Sequence, residues 1–117
     1  MSKMATETFG ARVRREREGR KIGLRQAAKS IGVSPTYLSM VERDEFHPPA
    51  EDKVRALAKL LELDADELLA LAGKVSSDLT AIIRDHPREL ASFLRSIKGL
   101  SPKQVSQRLK GVKPKTG

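Results

Sequence analysis

Apolar residues along this chain recur at helical spacing, and no stretch alternates apolar with polar residues as a half-buried strand would. An all-α protein is therefore expected. The first predicted helix runs from about Thr8 to Arg20, with Phe9, Val13 and the stems of its arginines on one buried stripe, and Gly19 and Gly23 bracket its end. A second, about Leu24 to Ser30, places Leu24, Ala27, Ala28 and Ile31 at i, i+3, i+4 and i+7, a single helical face. The two central alanines let another helix approach closely.

The punctuation that follows predicts a turn of three or four residues. Gly32 suits the left-handed conformation that ends a helix, Val33 is a buried plug, Ser34 can cap a new helix, and Pro35 fits its first turn. The third helix, about Pro35 to Arg43, directs Leu38 and Val41 inward. Steps of about 100° put Thr36, Ser39, Met40 and Arg43 on the other side, with Tyr37 at the flank. That side is uncharged except at its end. A helix face meeting only water usually carries Glu and Lys, which are good helix formers; Ser and Thr are poorer ones, and their hydroxyls suit contact with another surface. Two helices joined by a short glycine-containing turn, the second exposing small hydrogen-bonding side chains, is the geometry that places a recognition helix in a DNA major groove. An ordinary helical hairpin has the same spacing, so the pattern leaves both readings open.

A fourth helix, about Ala50 to Leu63, offers Val54, Leu57, Ala58 and Leu61 to the core. LDADELL announces a fifth, with Asp64 as cap, acidic residues at the positive helix N-terminus, and Leu68, Leu69 and Leu71 for packing. Capping accounts for Asp64, Asp66 and Glu67 without a metal, since no histidine converges on them. Ser76 or Ser77 opens a sixth helix carrying Leu79, Ile82 and Ile83. DHPREL then reads as a break before a seventh, opened by Pro87 and presenting Leu90, Phe93, Leu94 and Ile97. SPKQVSQRLK predicts one more short helix before a basic, disordered tail, GVKPKTG.

Length and composition narrow the function. A chain of 117 residues holds one compact domain plus an appendage. Cysteine is absent, the two histidines, His47 and His86, are far apart, and no glycine-rich phosphate cradle occurs. Nucleophilic, zinc and nucleotide chemistry lack their parts, so no enzyme activity, metal or cofactor is expected. No apolar run approaches the ~18 residues that span a bilayer, and MSKMATET lacks the apolar segment of a signal peptide; a soluble, cytoplasmic protein with no membrane partner is expected. The net charge of +8 is unevenly spread. Residues 11–29 hold eight Lys or Arg against two Glu, a local +6, and residues 42–67 hold four basic against nine acidic, a local −5. Residues 95–117 carry seven basic residues and no acidic one. A polyanion is a natural partner for such patches, although a solvated surface has the same composition.

The segment FGARVRREREGRKIGLRQAAKSIGVSPTYLSMVERDEFHPPAEDKVRALAKLLELDADELLALAG, about Phe9 to Gly73, resembles the Cro/C1-type (Xre family) helix-turn-helix regulators, most strongly in IGVSPTYLSMVER. The resemblance implies a five-helix DNA-binding domain over residues 1–73, whose third helix enters the major groove. It implies base-reading roles for Ser34, Pro35, Thr36, Tyr37 and Met40, and an ion pair between Arg17 and Glu42. Contacts to the DNA backbone are expected from Arg12, Arg25, Gln26, Ser39, Arg43 and His47. The chain departs from the family pattern at three places. Gly23 stands where Ser or Thr commonly caps the second helix, Ala27 replaces a leucine, and Asp44 replaces the glycine that commonly follows Glu-Arg. Asp44 and Glu45 are thereby expected to put negative charge near the DNA edge.

Residues 74–110 are expected to form a short helical C-terminal extension for dimerisation or interaction, with 111–117 as a basic tail. An apolar stripe as large as that of the seventh helix needs a partner. Ile82, Ile83, Leu90, Phe93, Leu94 and Ile97 are the expected homodimer contacts, since two copies about a twofold axis read two half-sites. Folding back of the sixth and seventh helices on the fourth and fifth, or docking of a second protein as in antitoxin-like members of the family, are the alternatives. The function expected is sequence-specific transcription regulation, as a repressor that occupies a partly palindromic operator on double-stranded DNA.

Overall fold

A computed structural model describes residues 7–110, and the described residues form helices and connecting turns with no strand. The elements are α1 (Phe9–Gly19), α2 (Leu24–Ile31), α3 (Pro35–Glu42), α4 (Glu51–Leu61), α5 (Ala65–Leu71), α6 (Ser77–Asp85), α7 (Pro87–Ser96) and α8 (Pro102–Leu109). The fold is all-α: a five-helix domain followed by a short helical extension. The expected tail at 111–117 lies outside the described residues.

Local chemistry sets the ends of these helices. Thr8 caps α1, Ser34 caps α3 and Asp64 caps α5, each through a side-chain oxygen that accepts a backbone N–H three residues on. Gly32 ends α2 at φ 78°, where a side chain would be strained. The fourth helix stops at Leu61 rather than Leu63. Glu62 adopts the left-handed conformation, at φ 57°, and the N–H of Leu63 turns back to the Ala58 carbonyl at 2.8 Å.

The chain divides into two compact units at Ser77–Asp78. In the first, α4 packs on α5, α2 on α3, and α1 against α3 and α4. Its core runs from Phe9 and Val13 through Ala27, Ala28 and Ile31 to Leu38, Val41, Val54, Leu57, Ala58, Leu61, Leu68 and Leu69. Gly10 sets the closest helix approach: a Cβ there would lie 2.3 Å from the Val41 carbonyl oxygen and 2.7 Å from that of Glu42. Glycine weakens a helix interior by roughly 0.5–1 kcal/mol relative to alanine, and here that cost is what lets the end of α3 sit on α1.

At the end of the first unit a polar clasp precedes α6. Arg55 donates to Ser76 Oγ and to Glu51 at 3.0 Å, and Glu51 also accepts the Ser77 N–H at 3.3 Å. These two donors hold the Glu51 carboxyl below its ordinary pKa, Arg55 contributing most. In the second unit, α6, α7 and α8 bury no described residue. The last is nonetheless well started: Ser101 and Gln104 form a reciprocal capping box with Pro102 at the first position.

Candidate nucleic-acid interface

The α2–turn–α3 segment builds the site. Ser34 Oγ accepts the Tyr37 N–H at 3.0 Å, which fixes the first turn of α3, and Leu38 and Val41 anchor its inner side in the core. Its other side is open. Arg25 of α2 and Pro35, Thr36, Ser39 and Arg43 line one groove beside the start of α2, which begins at Gly23 with no side-chain cap. The unsatisfied first-turn N–H groups and positive dipole end of α2 therefore face the same groove as the Arg25 guanidinium. Arg43 bonds to Ser39 Oγ at 2.9 Å and to Glu45 at 3.0 Å. Both contacts are exposed and readily exchanged.

The remaining candidates do not line this groove. Gln26 is exposed on α2, Ser34 is exposed while capping, and His47 is exposed in the loop after α3. Met40 is half-buried, and so is Tyr37, whose ring lies 5.7 Å from that of Phe46 at a 42° tilt. Arg12 stands apart from the groove. Its Nε donates to Glu16 at 3.2 Å, and its guanidinium reaches Glu67 of α5 at 3.5 Å. Arg14 was not singled out in the sequence, yet it lines the adjoining hollow with Leu24, Ser39 and Arg43. The signal for it was helical spacing: Gly10, Arg14 and Arg17 fall at i, i+4 and i+7, the stripe that faces α3.

The groove is held rigid from behind. Arg17 Nε and NH2 bond to the two Glu42 carboxylate oxygens at 2.8 and 2.9 Å, and its NH1 donates to the Ile22 carbonyl at 2.9 Å. The side chains are 11% and 4% exposed, so this bidentate pair sits where water competes weakly. Hydrogen bonding to Glu42 holds the Arg17 guanidinium above its already high pKa, and it remains charged.

Asp44 is exposed and also engages the start of α1. It adopts the left-handed conformation at φ 60°, which Asp tolerates better than most residues. Its carboxylate accepts from the Thr8 hydroxyl at 2.7 Å and from the Gly10 N–H at 3.2 Å. The carboxylate thus faces the positive N-terminus of α1 and ties that end to the end of α3. Only the tertiary fold brings Thr8 and Asp44 together.

The six C-terminal candidates lie in the second unit. Ile82 and Leu94 are each 48% exposed, and Ile83, Leu90, Phe93 and Ile97 are half-buried. Among the described residues no group of His, Cys, Asp or Glu is arranged to hold a metal ion. No described helix is long and apolar enough to cross a membrane.

Comparison with known proteins bears on the first unit most directly. The family model described as a helix-turn-helix domain matches residues 8–71. An uncharacterized HTH-type transcriptional regulator of Mycobacterium tuberculosis is 37% identical over 76 residues, which are 65% of this chain and 54% of that protein. The chain thus spans about half the length of the curated relatives it matches. The solution structure of the DNA-binding domain of the P22 c2 repressor matches with a TM-score of 0.51 and 36% identity, over 56% of this chain and 86% of that one. The SinR–SinI complex matches with a TM-score of 0.50 and 23% identity, over 88% of this chain and 92% of that one, a likeness of fold. With α2, the turn and α3 arranged as described, the chain belongs to the helix-turn-helix family, in the Cro/C1-type form found in DNA-binding transcriptional regulators.

Proposed function

We propose that this chain is a sequence-specific transcription regulator that inserts α3 into the major groove of a partly palindromic operator, binds as a homodimer, and acts as a repressor. The observation that carries this reading is the open side of α3. Thr36 offers its hydroxyl to base edges, while Ser39, Arg43, Arg25 and the uncapped start of α2 stand beside it in the same groove to receive phosphate. Ser34, Pro35, Tyr37 and Met40 complete the base-reading set. Gln26 and His47 belong to the backbone contacts, with Arg14 as an addition. Arg12, engaged with Glu16 and Glu67, must exchange those partners to take part.

The likeness to the P22 c2 repressor's DNA-binding domain supports both DNA binding and the repressor reading. Exposed Leu79, Ile82 and Leu94 support the homodimer, because apolar surface of that extent is covered at a twofold contact in a functioning protein. The same stripe suits a second protein, and tight co-purification of a partner with a monomeric chain would favour that reading. Residues 1–73 then form the DNA-binding domain and 74–110 the interaction segment.

Selection of bound duplexes from a random DNA pool tests the proposal. The chain should enrich an inverted repeat. Thr36→Ala and Met40→Ala should each relax the preference at particular positions, costing about 1–3 kcal/mol where a base contact is lost. Arg25→Ala should instead weaken all sequences alike. An unchanged consensus in both α3 variants would remove α3 from the reading surface.

A further inference from the structure

The second unit carries a cationic arrangement that the helix-turn-helix reading does not use. Residues 88–110 hold six basic residues and one acidic residue. On α7, Arg88, Ser92 and Arg95 fall at i, i+4 and i+7; on α8 and its C-cap, Lys103, Gln107 and Lys110 repeat the spacing. All six side chains are exposed. Each stripe lies opposite its helix's apolar residues, which are Leu90, Phe93, Leu94 and Ile97 on α7, and Val105 and Leu109 on α8.

Several cations of the first unit are matched by acids at helical spacing: Arg12 and Arg20 with Glu16, Arg14 with Glu18, and Arg55 with Glu51. Arg15 is likewise paired with Glu7, and Arg43 with Glu45. Among the described residues, none of the four cations of the α7 and α8 stripes has an ion-pair partner, and Glu89, the acid adjoining them, pairs with none of them. Two helices thus repeat basic, neutral polar, basic with no acid to close the charge, and present an open cationic face.

We infer that α7 and α8 form a second, sequence-independent contact with the phosphate backbone of duplex DNA, outside residues 8–71 and separate from base reading by α3. The residue types are those that donate to phosphate and sugar: Arg and Lys as charged donors, Ser and Gln as neutral ones. Seven helical residues span about 10.5 Å, so each stripe faces several backbone charges of a duplex that carries one per ≈ 1.7 Å of axis. A basic amphipathic helix also suits an anionic bilayer surface; DNA is the occupant inferred because the same chain carries a helix-turn-helix domain over residues 8–71.

The test uses the full chain with Arg88→Gln, Arg95→Gln, Lys103→Gln and Lys110→Gln combined. Every substitution is at an exposed position, and circular dichroism and sedimentation verify that folding and association match the parent. Binding to a selected duplex and to a random-sequence duplex of equal length is followed across salt concentration. The slope of log affinity against log salt should fall in magnitude by about 3–4 per chain for both duplexes, with the selected consensus unchanged. Equal slopes for variant and parent would overturn the inference. So would a loss of binding to phosphatidylserine-containing vesicles with DNA slopes unaltered, which would assign the stripes to a membrane. A parent chain that enriches no sequence yet loses salt slope in the variant would instead overturn the reading of α3 and leave this contact standing.

Discussion

The helices from Phe9 to Leu71 and those from Ser77 to Leu109 are written in the same amphipathic pattern but reach different ends. In the first set the apolar stripes of five helices meet, and Val13, Leu38, Leu57, Leu61 and Leu69 are fully buried. In the second, helices of eight to ten residues bury no described side chain. Isolated helices of that length are marginal in water, so the second set depends on what covers it. Charge follows the same division. The arginines of the first unit are largely spent on glutamates that fix α1, α3 and α4, and the cations of α7 and α8 remain open. One region uses its side chains to hold itself together, and the other presents them outward.

Mutations can break this comparison or sharpen it. The largest effect is expected at the anchor behind α3: Glu42→Ala leaves the buried Arg17 charge unpaired and should cost about 3–5 kcal/mol in denaturant unfolding. A loss below about 1 kcal/mol, the range of exposed pairs, would mean that solvent reaches the pair freely. Leu57→Ala should cost about 2–5 kcal/mol, whereas Leu94→Ala, at a residue 48% exposed, should leave the unfolding of the monomeric chain within about 0.5 kcal/mol and weaken the proposed self-association in sedimentation. Equal losses of stability at the two sites would erase the contrast between the units.

Gly10→Ala should destabilise by about 1–3 kcal/mol despite alanine's better helix propensity, because the added methyl meets the Val41 and Glu42 carbonyls, and calorimetry reads the loss. Asp44→Ala should lower stability by about 1 kcal/mol through loss of its hydrogen bonds with the Thr8 hydroxyl and the Gly10 N–H at the start of α1, measurable as a fall in Tm. It should not tighten DNA binding, as it would if Asp44 repelled phosphate. The smallest effect concerns Glu51. Its folded-state pKa is lowered, so its stabilisation is complete above the ordinary glutamate pKa and is lost as pH falls through the lower folded value. Glu51→Gln should therefore flatten the acid limb of a stability–pH curve, lowering stability slightly at neutral pH and leaving it unchanged at low pH.

The sequence by itself determined where the helices lie and which faces turn inward, because helical periodicity and caps are local. Ser34, Pro35, Gly32 and Asp64 each act within a few residues of chain. The helix-turn-helix was legible for the same reason: its turn, its inner Leu38 and Val41 and its polar outer side all lie within one short segment. Contacts across long sequence separation were different. Gly10 against the end of α3, Asp44 on Thr8, and Arg14 beside Ser39 join α1 to residues more than twenty positions away, and no local spacing reports such a distance. Arg17 and Glu42 were named through resemblance, and the fold is what gives them two parallel hydrogen bonds and a buried setting. Arg12 makes the converse case. Its position and charge suit a phosphate, but α5 places Glu67 within reach and turns it toward the protein. Tertiary structure decided these outcomes because a charged side chain is assigned by the nearest opposite charge in space, which depends on how whole helices pack.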